Sequence, residues 1–208
     1  MKLKKKIKRL LVIFVLILLA IGGYLTYKEL TSQKEPKEAK IINEIEDYGY
    51  KLKENKPERY KKLFKELKEI LAETEVNEEK YVSKISEMFI YDFYSLDDKT
   101  AKTDIGGVDF IYNEILENVL QNAQSTYYKY VENNIYNNRN QKLPIVDTIT
   151  IDSVEQKDFE YNGKTDNTAY YVKSSWTYLD NQFPTYQKEA ELIFIHDGKK
   201  LCLVELQW

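Results

Sequence analysis

Hydrophobic and polar positions fall into three regimes along the chain. An unbroken apolar run comes first, then apolar residues recurring every three or four positions, then alternation with period two. The run is Leu10 to Tyr27, which carries no charged side chain, and eleven of the twelve residues from Leu10 to Ile21 are Leu, Ile, Val or Phe. As a helix it rises about 27 Å at 1.5 Å per residue, close to the ~30 Å hydrocarbon core of a bilayer. Residues 10–27 are therefore read as a transmembrane helix, with residues 28–40 as a polar stalk.

The helical regime begins at Ile41. Ile41, Ile42, Ile45, Tyr48 and Leu52 place one narrow apolar stripe on a helix, weakened at Gly49. Asn55-Lys56-Pro57 interrupts the pattern, and Pro57 suits the first turn of a second helix carrying Tyr60, Leu63, Phe64, Leu67, Ile70 and Leu71. The spacing predicts a helical hairpin over residues 41–76. A dimeric coiled-coil stalk is the alternative, but the segments hold too few heptads to favour it. A third helix is expected from Glu78 to Leu96 with Asn77 as its N-cap. A loop follows from Asp97 to Gly107, and a fourth helix runs from Val108 to Asn133, capped by Thr103 or Asp104.

Beyond Pro144 the period changes to two. Ile145–Tyr161, Thr168–Tyr178, Thr185–Ile195 and Leu201–Trp208 read as strands, separated by turn signals at Asn162-Gly163, Asp180-Asn181 and Asp197-Gly198. Short connections imply an antiparallel meander, and strands this long imply strong twist or a bulge. The expected fold class is α+β: an N-terminal transmembrane helix, a helical segment, then helices packed on a curved four-stranded antiparallel sheet, with residues 77–208 as the α+β domain.

Charge sharpens the first regime. Six of the 31 basic groups lie in residues 1–9 and all 34 acidic groups follow them, so a nonapeptide of +6 precedes a remainder of −9. A basic flank on one side of an apolar run stays cytoplasmic, which puts residues 28–208 outside the cell membrane. Cleavage as a signal peptide after Gly22 is the competing reading, since Ala20 and Gly22 are small; both readings export the remainder. No Cys follows the run at a lipoprotein position. The acidic body argues against nucleic-acid binding, and the basic segment suits anionic lipid.

Composition removes many activities. Charged residues at 31% and a mean hydropathy of −0.57 exclude a polytopic membrane protein. One Cys and one His exclude an internal disulfide framework, a multi-Cys zinc or iron–sulfur site and a two-His metal centre, so neither metal nor cofactor is expected. Lys outnumbers Arg 28 to 3, and Tyr, Asn and Ile are frequent. This is the signature of AT-rich codons, consistent with a low-GC bacterium. The 18 Tyr residues fit either that bias or a recognition surface.

Candidate chemistry is sparse. Asp92 interrupts the apolar face of the third helix, where a carboxylate in a hydrophobic pocket could act as a base, or could instead tie down the Asp97 loop. His196 adjoins Asp197 in a hairpin turn, a position usually solvated. Cys202 in the last strand reads as a small buried hydrophobe. Gly106-Gly107 precedes a helix but is flanked by Asp104 and Asp109, the wrong sign for phosphate, and reads as a turn. Asp92, Tyr112 and Trp176 are the candidate ligand-binding residues; no catalytic, cofactor-binding or metal residue is assigned.

The order of elements over Leu10–Tyr27 and Tyr81–Trp208 resembles membrane-anchored members of the ketosteroid-isomerase/nuclear-transport-factor superfamily, a cystatin-like α+β group. In layout it is similar to the bitopic assembly subunits of type IV secretion and conjugation systems. The resemblance implies helices covering a curved sheet around a cone-shaped cavity. Catalytic members place an acid and a Tyr there, whereas assembly members use the fold as a contact surface. No motif carries particular residues over. The leading expectation is a non-enzymatic interaction module with envelope-protein partners, a homo-oligomer being a further option. The alternative is a small-molecule or acid–base site in the cone.

Overall fold

The computed structural model describes residues 19, 21–24, 39–181 and 183–207. The chain divides into two units, 1–38 and 39–208. In the first, Leu19 and Ile21–Tyr24 are helical. The rest of the expected 10–27 span, the basic residues 1–9 and most of the stalk lie outside the described residues. Among the described residues no helix is long and apolar enough to cross a membrane.

The second unit is α+β and opens with a correction. In place of the expected helix over 41–52, the chain forms an antiparallel hairpin of β1 (Ile41–Ile45) and β2 (Tyr50–Lys53), joined by a short 3-10 turn ending at Gly49. Gly49 has φ +68°, a conformation that reverses the chain and that residues with a Cβ rarely adopt. Period two then decides burial. Tyr50 and Leu52 enter the core and Lys51 and Lys53 face water, while Ile41 and Ile42, central to the helical stripe, remain 52% exposed. Three β-branched residues in five also favour a strand.

Helix α1 (Glu58–Leu71) starts after Pro57 as expected and buries Tyr60, Phe64, Leu67 and Leu71, one side of the helix. Helix α2 (Glu78–Tyr94) begins at Asn77, whose side-chain oxygen accepts the Lys80 backbone N–H at 2.9 Å. The helix is central. Ile90, Tyr91 and Asp92 are buried as well as the predicted face, because α1, the sheet and the loop after α2 enclose it.

The expected fourth helix is broken. Val108–Phe110 forms a single 3-10 turn, Ile111 bridges Leu203 in parallel, and α3 spans only Asn113–Ser125. Ser125 and Thr126 return their hydroxyls to the Asn122 carbonyl, which ends the helix. The following turns bury Tyr128, Val131 and Leu143 with Leu96, Ile105 and Ala123 in a second small core.

Four strands follow: β3 (Val146–Tyr161), β4 (Lys164–Tyr178), β5 (Glu189–Asp197) and β6 (Lys200–Gln207), antiparallel neighbours in chain order as the alternation predicted. Asn162 and Gly163 both have positive φ, which gives the two-residue turn between β3 and β4. Register shifts in the β3–β4 ladder are the expected bulges. Tyr170, Val172, Trp176 and Tyr178 face the main core with α1 and α2. The opposite face holds a smaller cluster of Ala169, Ile193, Ile195 and Val204. The β4–β5 ladder covers only Tyr170–Ser175, so the β3–β4 ribbon runs on past the sheet.

Candidate functional site

Asp92 lies at the bottom of the α2–loop junction, 4% exposed. Lys56 reaches both of its oxygens at 2.6 Å, Lys99 reaches Oδ1 at 3.0 Å, and the Gly107 backbone N–H donates to Oδ2 at 2.8 Å. Burial alone would raise its pKa, but Lys99, then Lys56 and the Gly107 N–H, hold the carboxyl well below the usual carboxylate range. Lys99 is 2% exposed and also pairs with Asp98 at 2.6 Å. Burial would depress its ammonium, and the two carboxylates raise it instead. Arg139 closes the assembly by donating to the Lys99 and Asp97 carbonyls at 2.8 and 2.6 Å.

Both oxygens are engaged, so of the two readings of Asp92 the contacts support the second, in which it ties the 96–107 loop to α2. The two glycines are part of the same construction. A Cβ on Gly106 would sit 2.0 Å from the Asp92 carbonyl oxygen, and the Gly106 N–H donates to the Tyr128 hydroxyl at 3.1 Å.

The other two ligand-binding candidates are elsewhere. Trp176 is buried in the inner face, its ring 4.5 Å from that of Tyr94 and its Nε1 donating to Tyr178 at 3.0 Å. Tyr127 hydrogen-bonds the Tyr94 carbonyl and contacts the Tyr178 hydroxyl. Aromatic side chains thus fill this part of the space between helices and sheet. Tyr112 packs beside the opposite sheet face, its hydroxyl donating to Glu114 at 3.1 Å. Asp92, Tyr112 and Trp176 do not converge.

His196 makes an arrangement that adjacency to Asp197 did not suggest. Its Nδ1 lies 2.8 Å from Asp166 Oδ2, which also accepts the His196 backbone N–H, and its Nε2 lies 3.4 Å from Glu78 Oε2. The Tyr170 hydroxyl donates to the same Glu78 oxygen at 3.0 Å. Partial burial would lower the imidazole pKa, but the hydrogen bonds to Asp166 and Glu78 raise it above 6.5. Asp166 is lowered against its own burial by the His196 backbone and side-chain bonds. A signal for this pairing exists in the sequence. Continuing the Tyr170–Phe194 register puts His196 opposite Thr168, with Asp166 two residues further along the same face. The cluster borders an open depression of about 600 Å³ whose walls include Tyr112, Phe159 and Tyr161.

Cys202 is buried, and burial pushes its thiol up to about 11, which favours the neutral thiol at neutral pH. Among the described residues no group of three His, Cys, Asp or Glu side chains could hold a metal ion. A last concavity is apolar. Between α3 and β6 lies a groove of about 290 Å³ lined by Phe89, Phe93, Ile115, Val119, Leu203 and Leu206 among others. Comparison with family models, with curated proteins and with solved structures finds no match to this chain.

Proposed function

We propose that the chain is a single-pass membrane protein, N-terminus in the cytoplasm, whose exported α+β domain is a non-enzymatic interaction or assembly module of a bacterial cell envelope, in a conjugation or secretion complex. The observation that carries the reading is the filled interior. Where a catalytic relative of the nuclear-transport-factor type would hold an open cone with an acid and a Tyr, Trp176, Tyr94, Tyr127 and Tyr178 pack together. The buried carboxylate, Asp92, is satisfied by two lysines. The charge-free run Leu10–Tyr27 with its basic flank supports the anchor and its orientation. The 130–136 segment supports a contact role, with Tyr130 74% and Tyr136 63% exposed.

The test is in-cell cross-linking of a C-terminally tagged full chain, followed by membrane purification and mass spectrometry. A reproducible set of envelope proteins is the expected outcome. Membrane-bound chain recovered alone would reject the module. A second reading, a small-molecule or acid–base site, is favoured by one observation, the Asp166–His196 pair beside the depression of about 600 Å³. It requires His196→Gln to abolish binding of a small molecule recovered with the purified protein.

A further inference from the structure

The groove between α3 and β6 has a property that an ordinary surface crease lacks. One of its walls is the edge of a sheet. The strand order ends at β6; at its outer edge the Tyr50 and Tyr81 hydroxyls meet the Leu201 carbonyl and N–H, and among the described residues Ile111–Tyr112 is the backbone that bridges it. Ile111 bridges Leu203 in parallel, and the Tyr112 N–H donates to the Leu203 carbonyl at 2.8 Å. The chain then leaves the edge to enter α3 at Asn113, so Glu205–Gln207 continues without a neighbouring strand. Facing that open edge, α3 presents Ile115 and Val119, one helical turn apart, and Phe89 and Phe93 of α2 complete the lining. Unpaired strand backbone beside apolar side chains is the arrangement that receives an added strand. Main-chain bonds supply affinity, and pockets for alternate residues supply selectivity.

Charge selects the occupant. Glu205 is the one charged side chain lining the groove, and neither α3 nor Leu201–Gln207 carries a Lys or Arg. Glu114 lies outside that lining, held by the Tyr112 hydroxyl, the Asn162 amide and Lys164. A second copy pairing through β6 would bring Glu205 towards its own equivalent in a domain already strongly acidic, and like charges opposed across a ladder are unfavourable.

Resting on the interaction reading above, we propose that this groove docks an extended segment of a partner protein in which apolar residues alternate with Lys or Arg, adding as a short strand beside β6 at Glu205–Gln207. The apolar residues enter the space between Val119, Leu206 and Phe93, and the cations face Glu205.

The probes are labelled eight-residue peptides of alternating Val and Lys, or of alternating Val and Glu, titrated onto the detergent-solubilised full chain. The Lys peptide binds, and the Glu peptide is weaker by roughly tenfold or more at low salt, as expected for opposed charge signs. N-methylation of alternate peptide bonds in the Lys peptide, which removes strand hydrogen bonding and keeps charge, abolishes binding. Glu205→Lys, at an exposed position, narrows or inverts the preference, a result that misfolding does not produce; Val119→Lys removes binding of the Lys peptide. No binding, equal binding of both peptides, or indifference to N-methylation overturns the proposal. A photo-cross-linker at Val119, with one at Tyr136 for comparison, separates the two readings in cells. A captured sequence of apolar–basic alternation at Val119 supports the groove. Capture of a second copy there overturns the occupant. Capture at Tyr136 alone overturns the groove while keeping the interaction module, and capture at neither position rejects both.

Discussion

Asp92 and His196 are mirror images in charge. One is an anion between two cations, Lys56 and Lys99; the other, when protonated, is a cation between two carboxylates, Asp166 and Glu78. Water separates their roles. Asp92 and Lys99 are almost fully buried, whereas the His196, Asp166 and Glu78 side chains are 25%, 16% and 47% exposed. In the dry cluster Asp92 and Lys99 keep their charges near neutral pH, and loss of one strands the other in a low dielectric. In the wet cluster the central group titrates, and water substitutes for a lost partner. The same alternation of sign therefore makes a structural keystone in one place and a pH-sensitive clasp in the other.

The largest test of that contrast is Asp92→Ala, which leaves Lys99 with only Asp98 and removes the acceptor for Gly107. Denaturant unfolding should show a loss of about 3–5 kcal/mol. The double variant Asp92→Leu/Lys99→Met should recover much of it, because both fully buried charges are then gone and their former partners Lys56 and Asp98 are part-exposed and can turn to water. A loss below about 1 kcal/mol for Asp92→Ala, in the range of exposed pairs, would erase the distinction between the clusters.

Gly106→Ala attacks the same keystone sterically. The added methyl meets the Asp92 backbone oxygen and carbonyl carbon, neither of which has a flexible end that could swing away. A cost of about 1–3 kcal/mol is expected, typical of overpacking, with the larger end favoured by the backbone contact. A melting temperature equal to that of the natural chain would mean that the loop moves freely over α2.

How much of this was legible beforehand divides along physical lines. The sheet order, the Asn162-Gly163 turn, the start of α1 at Pro57 and the Asn77 cap were readable because each depends on local chemistry or simple alternation. The β1–β2 hairpin was misread because Ile41, Ile42, Ile45, Tyr48 and Leu52 fit helical spacing; Gly49 was the signal that a reversal, not a weakened helix, lay there. The break at Ile111–Tyr112 was hidden because it depends on a parallel bridge to Leu203, about ninety residues on. Asp92 was noticed as a buried carboxylate, yet its meaning came from Lys56 and Lys99, whose burial no hydrophobic pattern announces. His196 was read only as a turn residue beside Asp197; its partners Asp166 and Glu78 come from strand register and packing, which sequence adjacency does not show.

Asn77→Ala sharpens the comparison at the wet cluster. Glu78, the first residue of α2, is held to the sheet through His196 and Tyr170, and the Asn77 cap fixes the same helix end. Loss of the cap should cost about 1 kcal/mol. If the clasp and the cap stabilise one another, the cost in a His196→Gln background will differ from that in the natural chain, and additivity would show that they act separately.

The smallest expected effect is the most specific. His196 has its folded pKa raised above 6.5, so its clasp is fully present below that value and is lost as pH rises through the folded pKa. Asp166 has its folded pKa lowered, so its contribution is present above the ordinary carboxylate range and is lost as pH falls through the folded value. The stability difference between the natural chain and His196→Gln should therefore be greatest around pH 5–6 and shrink towards pH 9, by about 0.5–1 kcal/mol for a half-solvated pair. His196 is the only histidine in the chain, so a single imidazole resonance followed by NMR reports the same transition without ambiguity. A midpoint at or below 6.5, or a stability difference that stays flat across this range, would show that Asp166 and Glu78 are neighbours of the ring without being its partners. Asp92 provides the contrast within the same molecule: the cost of Asp92→Ala should not change over that interval, because Asp92 and Lys99 keep their charges throughout.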